Sequence, residues 1–510
     1  MNSDSTSRHG APADPIVLLR RFHYGEPAAT ADTQKAPETI LPALLHPYRD
    51  AAAIRYQYPL YLVPPGDGHD DVLAEALTEH FADAIAQFAP GDDDARILKD
   101  NLPWLERYLR QRLDGPDPVD APAMFNAAAA ALQEQLGLRE GARDALDAQL
   151  ASLRAAIAEG SQFLAYGPDA PLHLLLHATR HRDGERRAGL RCEIDDKLRK
   201  LTALLEIEAA RDPSARSKGS DVTAQHLDPG KLSSLMGTKA KGSVAMSDAR
   251  RARVEQALAT LESWADDATL IHCVGAIDNP WFREHTEIDV IESDDPCTTA
   301  SDVYEREAAR FAKLFAALRI ATLEIEDRYD PSVHDSWFGE FDWQAFSDDE
   351  MQHVTRVVVL VAADHLACDG LPSFSRLLGS RRPVHVISWI RAFDNPAAAH
   401  GQGPFDGYRF ELAYFGIGHR HVVVAQASAA RHEDLVAGYL AALDGNRASL
   451  HLINRGTQTK AGKPVLEPWF VASAALESRA HPFLLVNPAA GDRAAQRIRF
   501  GGNPQAESCL

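Results

Sequence analysis

Residues Arg356–Asp364 read RVVVLVAAD, seven apolar residues in a row closed by a carboxylate. An unbroken run of this length, rich in β-branched residues, predicts a strand covered on both faces, as in a parallel sheet. A strand with one wet face would alternate instead. The same grammar repeats toward the C-terminus. A short helix is predicted around Phe374–Leu378, then a strand at PVHVISWI (Pro383–Ile390) and a helix at Phe410–Phe415. HVVVAQA (His421–Ala427) follows as a strand, and HEDLVAGYLAALDG (His432–Gly445) as a helix closed by glycine. SLHLIN (Ser449–Asn454) is the fourth strand, and a helix around Val471–Glu477 leads into HPFLLVNP (His481–Pro488). Strands alternating with helices define an α/β fold, here a doubly wound, mostly parallel sheet. Ligands of such sheets sit at the carboxyl ends of the strands. That rule places Asp364, the stretch Arg391–Asn395, Gln426 and Asn454 on the functional rim.

Upstream of this C-terminal domain, 350–510, the pattern is less regular. LIHCVGA (Leu270–Ala276) reads as a short strand, and Tyr304–Leu318 as a helix with Phe311, Leu314, Phe315 and Leu318 on one face. ATLEIEDRY (Ala321–Tyr329) alternates with period two and predicts a strand, and an aromatic, acidic loop runs from Asp330 to Asp349. Residues 270–349 are therefore expected to be a connecting segment packed on the C-terminal domain. Residues 121–269 read as a mainly helical domain. One helix carries Leu146, Leu150, Leu153 and Ile157, and another carries Leu190, Ile194, Leu198, Leu201 and Leu205. A Gly-, Ser- and Lys-rich linker, 211–247, interrupts it, and Ser247 is placed to cap the next helix. Residues 39–120 form an N-terminal α/β segment with a strand at Tyr58–Val63. Residues 1–38 read as a flexible arm with one apolar patch, Ile16–Leu19.

Composition removes several classes of function. The 510 residues carry 53 Lys and Arg against 73 Asp and Glu, a net charge of −20, which argues against nucleic acid as a partner. Residues 180–253 are the exception, with 17 basic and 11 acidic side chains; they read as solvated helix faces and a basic linker, or as a docking surface. The five cysteines are scattered and form no CxxC, so neither a zinc ribbon nor a local iron–sulfur motif is present. No secretory signal and no apolar run long enough to span a bilayer are visible, so a cytoplasmic location is expected.

Familiar catalytic motifs fail one by one. Gly456–Lys463, GTQTKAGK, has one residue too many for a phosphate loop and ends before Pro464 instead of Ser or Thr. Gly416–His421, GIGHRH, lacks the third glycine of a dinucleotide fingerprint. His173, His177 and His181 form an i,i+4 stripe that can chelate a metal on a helix. No Cys or carboxylate accompanies them at ligand spacing, and the stripe reads as the boundary between an apolar face and solvent. Cys368, near Asp364 and Asp369, reads as a buried structural thiol, with a reactive thiol at the ligand rim as the alternative.

The segment Val357–Ile387 resembles the thiamine-diphosphate domain of the 2-oxoacid:ferredoxin (pyruvate:flavodoxin) oxidoreductases. That family has a strand ending in Gly-Gly-Asp-Gly, a following Asp, a helix with an LSRLL-like stretch, and SGRPV entering the next strand. Here Ala362, Ala363, Asp364 and His365 stand at the Gly-Gly-Asp-Gly positions, and Asp369 at the downstream Asp. Ser375–Leu378 and Ser380–Val384 match the helix and strand. The stretches His421–Asn454 and Ala474–Pro488 look like the family's later strands and helices. The resemblance extends over about Val354–Pro504. It implies a thiamine-diphosphate-binding-like fold, with thiamine diphosphate and Mg²⁺ as cofactors, Asp364 and Asn395 as metal ligands, and His365, Asp369 and Gln426 beside the cofactor.

The departures from that pattern decide which function is expected. His365 puts a ring where the family's glycine lets a phosphate approach the backbone. The family's SNTGG loop falls near Phe393–His400, which here reads FDNPAAAH, with Pro396 after Asn395. No pyrimidine-binding domain is located. The expected function is a degenerate thiamine-diphosphate-domain protein, a noncatalytic subunit or scaffold that works with protein partners in an oxidoreductase-like assembly. The alternative is an active Mg²⁺/thiamine-diphosphate-binding subunit of a multi-chain 2-oxoacid oxidoreductase.

Overall fold

A computed structural model of the chain describes residues 56–66, 72–91, 94–113, 115–211, 246–265, 267–390, 411–456, 468–477 and 479–503. The expected arm, nearly all of the basic linker, and Asn395 lie outside them. The chain divides into two units: one formed by residues up to Arg182, Thr269–Val303 and Arg356 onward, the other by Asp183–Ala268 and Tyr304–Thr355.

The first unit contains two sheets. The smaller is antiparallel, with strands β1 (Leu60–Leu62), β2 (Ala74–Ala76), β3 (Val119–Asp120) and β4 (Gln162–Leu164) in the order β2-β1-β4-β3. Its side chains alternate between two cores, as period-two geometry requires. Leu60, Leu62 and Leu164 join the apolar core of the larger sheet. Tyr61, Val63 and Phe163 face a second core, built with the helices Leu77–Phe88, Arg96–Arg112, Ala121–Leu136 and Glu140–Ala155.

The larger sheet has eight strands. These are β5 (Ile271–Gly275), β6 (Ile288–Ile291), β7 (Arg356–Ala362), β8 (Val384–Ile390), β9 (Val423–Ser428), β10 (Ser449–Asn454), β11 (Leu484–Val486) and β12 (Ile498–Arg499). Their order is β12-β11-β9-β10-β8-β7-β5-β6. Strands β5 to β10 are mutually parallel, and β11 and β12 add an antiparallel edge. The chain is thus α/β with a mixed, largely parallel sheet and extensive helix. Val357, Val358 and Val359 are at most 1% exposed, which is why that run never alternates. Each such side chain contributes about 1.5–3 kcal/mol through burial. Register brings the strand ends level: Gly275 lies opposite Leu360, Ala362 opposite Trp389, and Asn454 opposite both Ile390 and Ser428.

The second unit is helical among its described residues. It holds the later part of the helix Ala170–Arg211, the helix Asp248–Glu262, the later part of the helix Pro296–Ile325, and the short helices Pro331–Gly339 and Asp348–Met351. Ser247 caps the second of these by accepting from the Arg250 N–H, as expected.

Three expectations need correction. Residues 121–182 belong with the first unit and not with a separate helical domain, because Phe125, Ala128, Leu132, Leu146 and Leu150 complete the second core of the small sheet while Leu172, Leu174 and Leu175 join the core of the larger one. Residues 270–303 are not a connector, since β5 and β6 are strands of the large sheet itself. Ala321–Ile325 is the last turn of a 30-residue helix, not a strand. Its alternation arises because Glu324, 1% exposed, points inward to Arg250 and Arg253, whose Nε atoms lie 2.7 and 3.0 Å from its carboxylate. No helix among the described residues is long and apolar enough to cross a membrane.

Candidate functional site

The strand order locates the crevice. From β5 the chain moves to one side, to β6, and from β7 to the other, to β8. Adjacent strands whose connections diverge open a gap at their carboxyl ends, where doubly wound folds bind ligands. Gly275 closes β5 with φ +134°, and a Cβ there would stand 2.2 Å from the Leu360 carbonyl oxygen. Gly275→Ala is therefore expected to cost well over about 1 kcal/mol, since strain and a backbone clash add. A urea midpoint within error of wild type would contradict this close approach.

The end of β7 runs directly into a short helix, Ala363–Ala367, with no glycine turn between them. Asp364 is exposed in its first turn and accepts from the His365 N–H at 2.9 Å. The His365 ring packs against Gly370: a Cβ on that glycine would lie 2.6 Å from the ring. Asp369 is exposed beside it. Asp364 and His365 thus lie in the first turn of this helix at the expected rim, and Asp369 lies just past its C-cap. Gln426 is elsewhere: it lies two residues inside β9, opposite Leu452 and Leu484, and its amide donates to the Pro482 carbonyl at 2.8 Å. Its placement on the rim is corrected accordingly, because β9 continues to Ser428. Cys368 is exposed, not buried, because it caps the short helix on its outer side.

The histidine stripe also faces differently from the sequence reading. His173 and His177 are 2% and 4% exposed, inside the unit. The His177 and His181 rings donate to the carbonyls of Leu73 and Val63, at 2.9 and 2.8 Å. His173 is stacked on Phe282 and edge-on to Trp281. Among the described residues no group of three or more His, Cys, Asp or Glu side chains is placed to hold a metal ion.

A second cluster on this rim escaped the sequence reading. Asn279, just past β5, donates from Nδ2 to Asp117 at 2.8 Å and to Asp169 at 3.1 Å, while its Oδ1 accepts from the Trp281 N–H at 3.0 Å. Past β10, the Arg455 guanidinium lies 3.9 Å from the centre of the Trp389 ring and donates to the Pro168 carbonyl at 3.1 Å. The Arg455 carbonyl in turn accepts from the Tyr166 hydroxyl at 2.8 Å. The segment Tyr166–Asp169 is thus fastened to the strand ends from both sides. Burial pushes the Asp169 carboxyl up, against the opposing effects of the Asn279 hydrogen bond and the Arg455 charge. Burial also lowers Arg455. Asn454 is 1% exposed; its Oδ1 accepts from the Gly456 N–H, and its Nδ2 has no partner among the described residues. One local signal was available: Asp278-Asn279-Pro280, two residues after a strand ending in glycine, marks a capped turn.

The described rim residues do not fit a magnesium diphosphate. A diphosphate site needs backbone or cationic donors facing outward and carboxylates converging on one metal. Here the Asn279 amide is engaged by two of the chain's own carboxylates and Arg455 gives one N–H to the Pro168 carbonyl and lies over the Trp389 ring, while Asp278 and Asp364 face solvent as further negative charge. No protein-family model and no curated protein matches the chain.

Proposed function

We propose that the chain is a noncatalytic α/β protein, similar to a thiamine-diphosphate domain of the 2-oxoacid:ferredoxin oxidoreductases but with the cofactor rim rebuilt. It serves as a subunit or scaffold in an oxidoreductase-like assembly. The observation that carries this reading is the Asn279 bridge to Asp117 and Asp169. A rim amide suited to an anionic ligand is held between two carboxylates from the N-terminal part of the same unit. The ring of His365 beside Asp364 supports the same reading, because bulk stands where a phosphate would meet bare backbone.

The test is an activity assay on the purified full chain with pyruvate and other 2-oxoacids, thiamine diphosphate, Mg²⁺ and an artificial one-electron acceptor. The expected result is no acceptor reduction above the protein-free control. Turnover at about 1 s⁻¹ or faster, an ordinary enzymatic rate, would overturn the proposal.

A further inference from the structure

The aromatic, acidic stretch between the helices of the second unit takes no part in the reading above. Asp330–Glu350 carries seven carboxylates, five Phe or Trp side chains and no Lys or Arg. Its helix Pro331–Gly339 buries none of its residues, although it contains Val333, Trp337 and Phe338. Val333 is 59% and Trp337 43% exposed, two of the few large apolar side chains so placed among the described residues. A helix normally forms against something that covers its apolar stripe. This one borders an open groove of about 750 Å³, floored by Phe315, Leu318 and Leu323 and flanked by Glu193 and Asp349. Arg319 is also in the groove, but Glu350 engages it and it lies over the Trp337 and Phe341 rings, so it adds no unbalanced positive charge.

From this geometry we infer that the groove is a docking site for a partner protein's amphipathic helix, one with an aliphatic face flanked by Lys or Arg. The apolar floor and the exposed Trp337 provide an anchor of the kind that dominates interface energetics. The carboxylate rim selects the sign of the flanking charge and speeds encounter. The inference stands on the second unit alone and does not depend on the cofactor reading.

The experiment is a fluorescence-anisotropy titration of the full chain against a labelled amphipathic helical peptide of Leu and Lys, with a Leu and Glu peptide as comparison. The Leu and Lys peptide is expected to bind with micromolar affinity, and the Leu and Glu peptide not at all. Trp337→Ala is expected to weaken binding about tenfold or more, as loss of an anchor does. Val333→Asp adds negative charge, so non-specific attraction to an acidic protein would bind the peptide more tightly. The groove account expects weaker binding instead. Both side chains are exposed, and unchanged circular dichroism will show that the variants fold. Absent binding, equal binding of the two peptides, or wild-type affinity in both variants would overturn the inference. So would a dimer seen by light scattering that Trp337→Ala dissolves, because the occupant would then be a second copy of this chain.

Discussion

Between about pH 6.5 and pH 4 the first unit is expected to lose several kcal/mol of stability, because four imidazoles are held neutral in its interior. Burial pulls His177 and His451 down to about 3 and His173 to about 4, and places His385 well below the usual range, with the Arg356 charge adding to the effect. In the unfolded chain these rings take up protons near pH 6.5, whereas in the folded chain they stay neutral until the pH is far lower. The unfolded state therefore binds more protons across this window. Stability is full above about pH 6.5 and falls by about 1.4 kcal/mol per pH unit for each such ring as the pH drops toward the folded values. The geometry of one pair shows why protonation is resisted. The Ser449 hydroxyl sits between His385 Nδ1 and His451 Nε2, 2.9 Å from each. With both rings neutral the hydroxyl donates to one and accepts from the other; with both charged it would accept from each, which sets two buried imidazolium charges on either side of one oxygen and leaves its own proton without a ring to bond. Urea unfolding at about pH 7.5 and 5 checks this, and His451→Gln is expected to flatten the pH dependence by about one proton. A midpoint that does not move between the two pH values would contradict the burial of these rings as neutral species.

Glu324→Ala is expected to destabilise the second unit by about 3 kcal/mol, the usual consequence of removing one member of a buried ion pair. Glu324 is 1% exposed, and it accepts from the Arg250 and Arg253 Nε atoms at 2.7 and 3.0 Å, while its backbone carbonyl accepts from Arg250 at 2.7 Å. Without the carboxylate two guanidinium groups, each at least three-quarters covered, are left with only the exposed Asp327 carboxylate, on Arg250, as counter-charge. The triple change Glu324→Leu, Arg250→Met, Arg253→Met is expected to recover most of the loss, since a packed apolar group of similar volume often replaces a buried ion cluster at little cost. Amide exchange along Asp248–Glu262 is the readout. Wild-type protection in Glu324→Ala would show that the cluster is ornamental.

The large sheet was legible because parallel strands buried on both faces leave uninterrupted apolar runs, and Arg356–Ala362 and Val384–Ile390 are such runs. The last turn of the helix Pro296–Ile325 was not, because inward-facing Glu324 imitates the polar beat of a half-exposed strand. Rim position was readable for Asp364, where a strand ends, but not for Gln426, because an apolar run does not show how far pairing continues past a polar residue. The Asp-Asn-Pro turn marks Asn279 locally, but its bonds to Asp117 and Asp169, and that of Arg455 to Tyr166, were beyond any local pattern. Tyr166 and Arg455 are 289 residues apart, and only the fold brings them together. For the same reason the strand-end rule placed Asp364 on the rim while leaving unseen the two carboxylates that engage Asn279.

On the proposed reading the rim does not accept a magnesium diphosphate. Calorimetric titration of the full chain with thiamine diphosphate and Mg²⁺ tests it most directly, on the wild type and on His365→Gly. No heat beyond dilution is expected for either, because a glycine at position 365 leaves Asp117 and Asp169 in place against Asn279. A saturable one-to-one isotherm with the wild type, lost in Asp364→Ala, would contradict it.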